Sequence, residues 1–304
     1  MSSTSEPLPS DLAAAHAMRD AKIQLGILDS LSDARRPSNE DAVGATPAAA
    51  WVIDGTKGPF DHTLTPGPTD ATWHARALNT ALFSEYAELP VDPSLCLART
   101  AELLSDTYAS NAAAAPSHEQ PSACLALVAL SASMKLHLFN IGDCRILLEK
   151  AGKVRTFGTS GIERLETAAV AELTRLRDTM GDAYDPWPQL RGTLRRNFET
   201  AMNKPGGYWV VHPNLPWLHA VEHTEFSVYD VDHVLIVSDG FFRLVNIFSA
   251  HDAAGLVASA LRDGGLSALY AELRSREADD PTCRRCPRLK SMDDASAVLI
   301  RLRC

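Results

Sequence analysis

The part of the sequence that decides the fold is the stretch 123–157, which reads ACLALVALSASMKLHLFNIGDCRILLEKAGKVRTF. Four short apolar segments with a period of two residues lie within it, at 123–130, 135–140, 145–148 and 154–157. Gly142-Asp143 and Gly152-Lys153 separate the later segments, as turn residues do. This pattern predicts an antiparallel meander of four strands.

On both sides of this stretch, helical and strand patterns come in blocks. Helical spacing of apolar residues is found at 71–87, 93–109, 162–180, 186–201, 241–248 and 253–273. Further strand patterns are found at 22–28, 48–53, 208–211, 218–222, 234–237 and 297–302. Because strands and helix pairs form blocks and do not alternate strictly, the sequence favours antiparallel sheets with helices outside over a parallel doubly wound sheet.

Composition narrows the class of protein further. The chain has 304 residues, of which 45% are hydrophobic and 22% charged, and its formal net charge is −9. No cluster of Lys and Arg interrupts the acidic excess, which argues against binding to nucleic acid or to an anionic membrane. We find no signal peptide and no apolar run long enough to span a bilayer, so we expect a cytoplasmic monomer.

The chain shows no break in composition that would divide it. We expect residues 1–15 to form a disordered or loosely attached tail and residues 16–304 to form one domain. Its six cysteines are too sparse for a disulfide framework.

Acidic residues recur where apolar strand patterns meet small or turn-forming residues. The four sites are Asn39-Glu40-Asp41, Asp54-Gly55, Ser238-Asp239-Gly240 and Asp293-Asp294. Each Asp-Gly taken singly is more often a turn than a ligand. Carboxylates that converge repel one another unless a cation lies between them, and Mg²⁺ and Mn²⁺ suit ligands that are all oxygen.

The ordered set of motifs resembles the metal-dependent serine/threonine protein phosphatases, the type 2C or PPM family. The motifs are, in chain order, residues 36–41 (RPSNED), 51–55 (WVIDG), 139–145 (FNIGDCR), 236–240 (IVSDG) and 293–296 (DDAS). Each motif is weak alone, but the five occur in the family's order over nearly the whole chain. The resemblance identifies a divergent member of bacterial type.

This resemblance implies both a fold and a metal centre. The implied fold is α+β, a four-layer α-β-β-α sandwich of two antiparallel sheets flanked by helices. The implied site holds two Mg²⁺ or Mn²⁺ ions, with Asp54 in contact with both. Asp239 and Asp293 would complete the shell of one ion. Glu40 and the carbonyl group of Gly55 would hold the other.

The resemblance also assigns residues around these ligands. Arg36 matches the family's phosphate-binding arginine, whose planar guanidinium suits bidentate contact with phosphate. Asp143 matches a residue that helps to hold a third, weaker metal in some members. Asp41 and Asp294 would lie behind the ligands or cap the strand ends.

The implied activity is hydrolysis of phosphomonoesters, with phosphoserine and phosphothreonine in proteins as substrates. Two metal ions can activate a bridging water as hydroxide and brace the phosphoryl oxygens during in-line attack. An alternative is a phosphatase-like binding or regulatory module with weak or no turnover. A small-molecule phosphatase is a third interpretation, which the sequence does not separate from the first.

Departures from the family's pattern leave alternatives open. Thr56 stands where some members have a histidine proposed as general acid, and Lys57 places a cation beside the metals, where it could bind substrate phosphate or hinder metal binding. The segment 158–222 shows little of the family's pattern and is either a lid or an ordinary sheet connection. Cys283 and Cys286 are spaced as zinc ligands can be, but without a second pair a surface loop is favoured.

Overall fold

The computed structural model describes residues 23–34, 37–159, 161–181 and 185–303, so the predicted tail and Arg36 lie outside the described residues. Ten strands are described: β1 (Gln24–Asp33), β2 (Asp41–Ala45), β3 (Ala49–Thr56), β4 (Ser122–Leu130), β5 (Lys135–Ile141), β6 (Arg145–Lys150), β7 (Lys153–Phe157), β8 (Glu222–Ser227), β9 (His233–Val237) and β10 (Ala295–Arg303). They form two five-stranded sheets, ordered β1-β10-β9-β6-β7 and β2-β3-β4-β5-β8. All neighbouring strands are antiparallel.

Seven α-helices accompany the sheets within the described residues. They are α1 (Asp70–Glu85), α2 (Pro93–Asn111), α3 (Ile162–Met180), α4 (Trp187–Ala201), α5 (Asp239–Asn246), α6 (Ala253–Ala260) and α7 (Gly265–Ala278). Helix α2 begins as its sequence predicts, because the side chain of Asp92 accepts hydrogen bonds from the first-turn amides and Pro93 follows it. None of the described helices is long and apolar enough to cross a membrane.

Alternation along the central strands creates the layers. On β3, Ala50 and Val52 face the core between the sheets, whereas Trp51 and Ile53 belong to the core beneath α1 and α2. Helices α5, α6 and α7 cover the other sheet through a third apolar core. A strand that is apolar on both faces is buried on both faces, so the four-layer α-β-β-α sandwich predicted from the sequence is confirmed.

The predicted meander is wrong in one respect. Strands β4 and β5 pair in one sheet, while β6 and β7 pair in the other. The chain therefore changes sheets at Gly142-Asp143. Gly142 has a φ of +88°, which favours glycine, and a Cβ there would lie 2.2 Å from the sulfur of Cys124.

Three other predicted elements differ from the structure. The helix predicted at 253–273 is two helices, because the pair Gly264-Gly265 takes positive φ angles and turns the chain. The strand predicted at 218–222 is a single 3₁₀ turn, and the strand β8 begins only at Glu222. Residues 208–211 form isolated bridges and no regular strand.

Candidate active site

Pairing of β2 with β3 places three acidic residues at one end of the sandwich. Asp41 is the first residue of β2 and lies directly opposite Asp54. The amide of Gly55 donates a 2.9 Å hydrogen bond to the carbonyl oxygen of Glu40. A Cβ at Gly55 would lie 2.5 Å from that oxygen, so only glycine allows this approach. Asp54 and Gly55 are thus strand residues, although the sequence suggested that they end the strand.

The second sheet contributes carboxylates to the same end. Asp239 opens helix α5 directly after β9, with Ser238 at the N-cap position. Asp293 and Asp294 precede β10 and do not follow a strand. Because β10 runs antiparallel to β9, its beginning lies beside the end of β9.

Contacts join the two halves of the site. The amide of Glu40 donates a 2.8 Å hydrogen bond to Oδ2 of Asp294, 254 residues along the chain. A Cβ at Gly240 would lie 2.0 Å from the carbonyl oxygen of Asp294, so the start of α5 packs directly on this loop. The backbone of both sheets therefore fixes the acidic residues relative to one another.

A cavity of about 310 Å³ opens between these strand ends. The carboxylates that line it are Asp54, Asp143, Glu166, Asp239 and Asp293. Glu40 lines an adjoining groove, together with Lys57, Asp293 and Asp294. The structure thus brings the predicted acidic residues to one end of the sandwich, with Glu40 to one side, while Arg36 lies outside the described residues.

The electrostatics of this cavity are those of negative charges crowded together. Burial, followed by repulsion from Asp41, Asp239 and Asp143, raises the pKa of Asp54 well above its ordinary value. Burial likewise raises the pKa of Asp41. Burial and the charge of Asp239 raise the pKa of Asp143 to about 6.

Unsatisfied oxygen atoms point to the same need for positive charge. Oδ2 of Asp41 and Oδ1 of Asp143 are buried without a hydrogen-bond partner. Such atoms are costly in a folded protein unless a ligand, ion or water completes them. The side of the cavity that holds Asp54, Asp143 and Asp239 therefore fits a divalent cation in charge and in donor type.

Asp293 fits a cation less well. Both carboxylate oxygens of Asp293 accept hydrogen bonds from side-chain cations, Oδ2 from Arg243 at 2.7 Å and Oδ1 from Lys290 at 2.8 Å. Asp54, Asp143 and Asp239 thus match a divalent cation in charge and donor type but not in arrangement, because no group of three or more His, Cys, Asp or Glu side chains in the described residues is placed so that it could hold a metal ion.

Sequence reasoning missed Arg243, Lys290 and Glu166. Burial, followed by the charges of Asp239 and Asp143, raises the pKa of Glu166 to about 7. A usable signal for Arg243 is its position four residues after Asp239, which puts both side chains on one face of α5. Lys290 lies three residues before Asp293, but no periodic pattern in the loop 279–294 indicates where its side chain points.

The divergent segment 158–222 forms the apolar wall of the cavity. Helices α3 and α4 pack against each other through Leu173, Leu176 and Leu190. Apolar side chains of this segment line the cavity: Ile162, Leu165, Trp187, Leu194, Phe198, Tyr208 and Val210. Arg191 and Arg195 of α4 bond to the carbonyl oxygen of Pro59, which joins α4 to the loop that follows Asp54.

Comparison with known proteins identifies the family of the chain. The family model for protein phosphatase 2C matches residues 71–284, and the chain therefore belongs to that family. No curated protein sequence matches the chain as a relative.

Solved structures of bacterial phosphatases share the fold. The Mycobacterium tuberculosis serine/threonine phosphatase PstP/Ppp is 14% identical, with a TM-score of 0.54 over 93% of this chain and 99% of that chain. Stp1 from Staphylococcus aureus is 12% identical, with a TM-score of 0.55 over 92% of this chain and 96% of that chain. A further structure is the PstP catalytic domain in complex with two manganese ions, at 14% identity and a TM-score of 0.52 over 92% of this chain and 99% of that chain.

Proposed function

We propose that this protein is a metal-dependent phosphomonoester hydrolase that acts on phosphoserine and phosphothreonine in proteins. The observation that carries the proposal is the meeting of Asp54, Asp143 and Asp239 in one cavity, with oxygen atoms that lack hydrogen-bond partners nearby. Membership of the protein phosphatase 2C family supports the same activity.

The metal ligands proposed are those the resemblance implies. Asp54, Asp239, Glu40 and the carbonyl group of Gly55 would hold Mg²⁺ or Mn²⁺, with Asp143 in the same cavity. A divalent ion bound there supplies positive charge to the phosphoryl oxygens and lowers the pKa of a bound water molecule. Asp293 belongs to the implied set as well, although its carboxylate already contacts Arg243 and Lys290.

Side chains of this chain bind and orient the phosphate group in the proposal. Lys57 lines both the cavity and the adjoining groove, and its ammonium group donates a 3.2 Å hydrogen bond to the carbonyl oxygen of His62. That bond keeps the ammonium group near the groove, where it attracts an anion. Arg36, close in sequence to Glu40, would supply the bidentate contact.

Two features of the cavity bear on the leaving group and on water. In the metal-free site, burial first and then the charges of Asp239 and Asp143 raise the pKa of Glu166 to about 7. A carboxyl group with that pKa can give a proton to a departing alkoxide. The apolar side chains of α3 and α4 would limit the access of water to the carboxylates of the cavity.

The first experiment measures hydrolysis of p-nitrophenyl phosphate after chelation and then with added Mn²⁺ or Mg²⁺. We expect turnover only with metal, and the Asp54→Asn variant serves as the inactive control. Peptides with phosphoserine, phosphothreonine or phosphotyrosine, compared with nucleoside monophosphates, then separate a protein phosphatase from a small-molecule phosphatase. Turnover that persists in chelator, or no turnover at any metal concentration, would contradict the proposal.

A second candidate is a phosphatase-like binding module. The contacts of Asp293 with two protein cations favour it, because they occupy a carboxylate that the resemblance assigns to a metal. This candidate predicts that phosphopeptides bind without turnover. Isothermal calorimetry with a phosphopeptide, beside the turnover assay, separates it from the first.

A further inference from the structure

Arg243 is held beside the acidic cavity by buried partners. It lies on α5 and is 5% exposed. Its Nη2 donates to Oδ2 of Asp293 at 2.7 Å, and its Nη1 donates to Oε1 of Glu277 at 3.0 Å. Glu277 is fully buried and also pairs with Arg274, whose Nη2 donates to the carbonyl oxygen of Asp293. Arg243 cannot turn away from Asp293 without leaving a buried carboxylate short of a partner.

Lys290 completes the contacts of Asp293 from the solvent side. Its ammonium group lies 2.8 Å from Oδ1 of Asp293, while about half of its side chain is exposed, at 49%. A dication bonded to either oxygen of Asp293 would lie within a few ångströms of a guanidinium or an ammonium group. Like charges at that separation repel strongly where water is scarce.

The other carboxylates of the cavity have a different environment. In the described part of the chain, Asp54, Asp143 and Asp239 form no ion pair with Lys, Arg or His, and Asp54 faces Asp41 across the strand pair. The protein therefore pairs Asp293 directly with two cations and pairs none with these three carboxylates.

We infer that Arg243 and Lys290 serve as built-in cations for Asp293, so that Asp293 is not a metal ligand and the site takes one divalent ion where the resemblance implies two. This inference rests on the proposed function for the identity of the ion. It differs from it in the number of ions and in the ligand set.

The direct test counts Mn²⁺ ions on the full chain by equilibrium dialysis, with Mn²⁺ alone as the probe. We expect one ion per wild-type chain. Asp293→Asn should leave the Kd for Mn²⁺ within about twofold, whereas Asp54→Asn should raise it about tenfold or more, the scale on which metal sites respond to lost partners. Two ions on the wild type, or an Asp293→Asn variant that loses Mn²⁺ as Asp54→Asn does, would overturn the inference.

The reverse test removes the two cations. Arg243→Gln with Lys290→Gln should gain a second Mn²⁺ ion. The matched control, Arg191→Gln with Arg195→Gln, removes the same charge from two residues of α4 that pair with Asp61, and it should gain none. If both double variants gain a second Mn²⁺ ion equally, the gain reflects net charge alone and the inference is overturned. If neither variant gains an ion, the inference is overturned as well.

A single variant covers the case in which loss of Arg243 unfolds the chain. Lys290→Gln changes a half-exposed side chain and should fold, as circular dichroism can check. It should allow a second Mn²⁺ ion to bind at least about tenfold more tightly than in the wild type. An unchanged second-site affinity in this folded variant counts against the inference.

Phosphatase turnover, measured separately, distinguishes the two proposals. One Mn²⁺ ion without turnover supports the inference and contradicts the proposed function. Two Mn²⁺ ions with turnover contradict the inference and support the proposed function. A wild type that binds no Mn²⁺ contradicts both proposals.

Discussion

Asp54 is the residue on which the site depends most. It lies opposite Asp41 on the neighbouring strand, and the next residue, Gly55, bonds to the backbone of Glu40. Its carboxylate therefore lies among other carboxylates because of strand pairing, and burial with that crowding raises its pKa. In the proposed function this cost is offset by a divalent cation.

The change Asp54→Asn tests this role. The amide keeps the shape but offers one acceptor oxygen where the carboxylate offers two. We expect metal-dependent turnover to fall by about a thousandfold, the scale on which a main electrostatic element of a site acts. Thermal unfolding in chelator should be unchanged or shift upward, because a repulsive charge is removed.

Asp61→Asn is the matched control for that experiment. Asp61 lies in the loop that follows β3, where it pairs with Arg191 and Arg195 at the surface. This control should keep its turnover. If Asp54→Asn unfolds the protein in chelator, Asp54 is a structural residue, and if it keeps most of its turnover, the proposed ligand set is wrong.

Lys57→Gln tests the proposed phosphate contact. Loss of a cation that meets the substrate before the reaction should raise KM about tenfold with a smaller effect on kcat. Lys153→Gln, on the exposed strand β7, removes the same charge outside the cavity and should change neither constant. A lower KM in Lys57→Gln would mean that Lys57 hinders the site.

At the scale of elements, the loop 279–294 is built around one buried ion pair. Asp280 accepts hydrogen bonds from the amides of Arg284 and Cys286 and from Nη1 of Arg288 at 2.9 Å. Arg288 is 1% exposed. Although burial alone would raise it, these donors lower the pKa of Asp280 to about 2. Lys290 and Asp293 follow in this loop, so the ion pair of Asp280 with Arg288 helps to hold them at the cavity.

Asp280→Ala should therefore destabilise the protein. Removing one partner of a buried ion pair costs about 3–5 kcal/mol, because the remaining charge stays buried without compensation. Urea unfolding at pH 7 measures this cost. The neighbouring change Asp279→Ala, at an exposed position, should cost less than about 0.5 kcal/mol. Equal stability of the two variants would show that the loop is not held by the ion pair.

Sequence patterns predicted the elements that depend on periodicity. Helix α3 matches its prediction at 162–180, since its apolar residues recur at helical spacing. The errors have local causes. The helix predicted at 253–273 includes Gly264-Gly265, where positive φ angles end one helix before the next begins. The helical spacing of apolar residues does not reveal this break, although paired glycines are a strong signal for the end of a helix. Strand β8 has a half-exposed pattern without a continuous apolar run, and so the strand was predicted too early.

The candidate site was predictable only in part. Acidic residues beside apolar strands gave Asp54 and Asp239, because a rigid strand end positions a side chain. Pairing of Asp293 with Arg243 could not be read from the sequence, since an arginine on a helix usually faces solvent. It depends on Glu277, 34 residues further on, which meets Arg243 in the folded chain.

Two groups of buried titratable side chains have opposite effects on how the free energy of unfolding depends on pH. Asp41, Asp54 and Asp143 have raised pKa values, so their protonation stabilises the metal-free fold as the pH falls. Buried histidines act in the other direction. Burial lowers the pKa of His74 to about 3 and that of His212 to about 4.

The geometry around His212 explains why it resists a second proton. Its Nε2 donates to the carbonyl oxygen of Ser117 at 2.9 Å, and its Nδ1 accepts from the amides of Asn214 and Leu215. A proton on Nδ1 would break both accepted bonds and leave a charge on a buried side chain. The neutral form is therefore part of the fold.

The last prediction concerns acid stability in chelator. Since the folded pKa of His212 lies below the ordinary value near 6.5, the unfolded chain binds more protons between about pH 6.5 and 4. The free energy of unfolding that His212 contributes is therefore present above pH 6.5 and should fall by about 2 kcal/mol by pH 5. Urea unfolding of the wild type and of His212→Gln at pH 7, 6 and 5 gives the free energy of unfolding as a function of pH for each protein. The difference between the two slopes measures the contribution of His212, because the carboxylates contribute equally to both. His219→Gln, at an exposed position, is the control and should keep the wild-type slope. A His212→Gln variant whose stability falls as steeply as that of the wild type would mean that His212 binds protons equally in the folded and unfolded chains, which contradicts the lowered pKa.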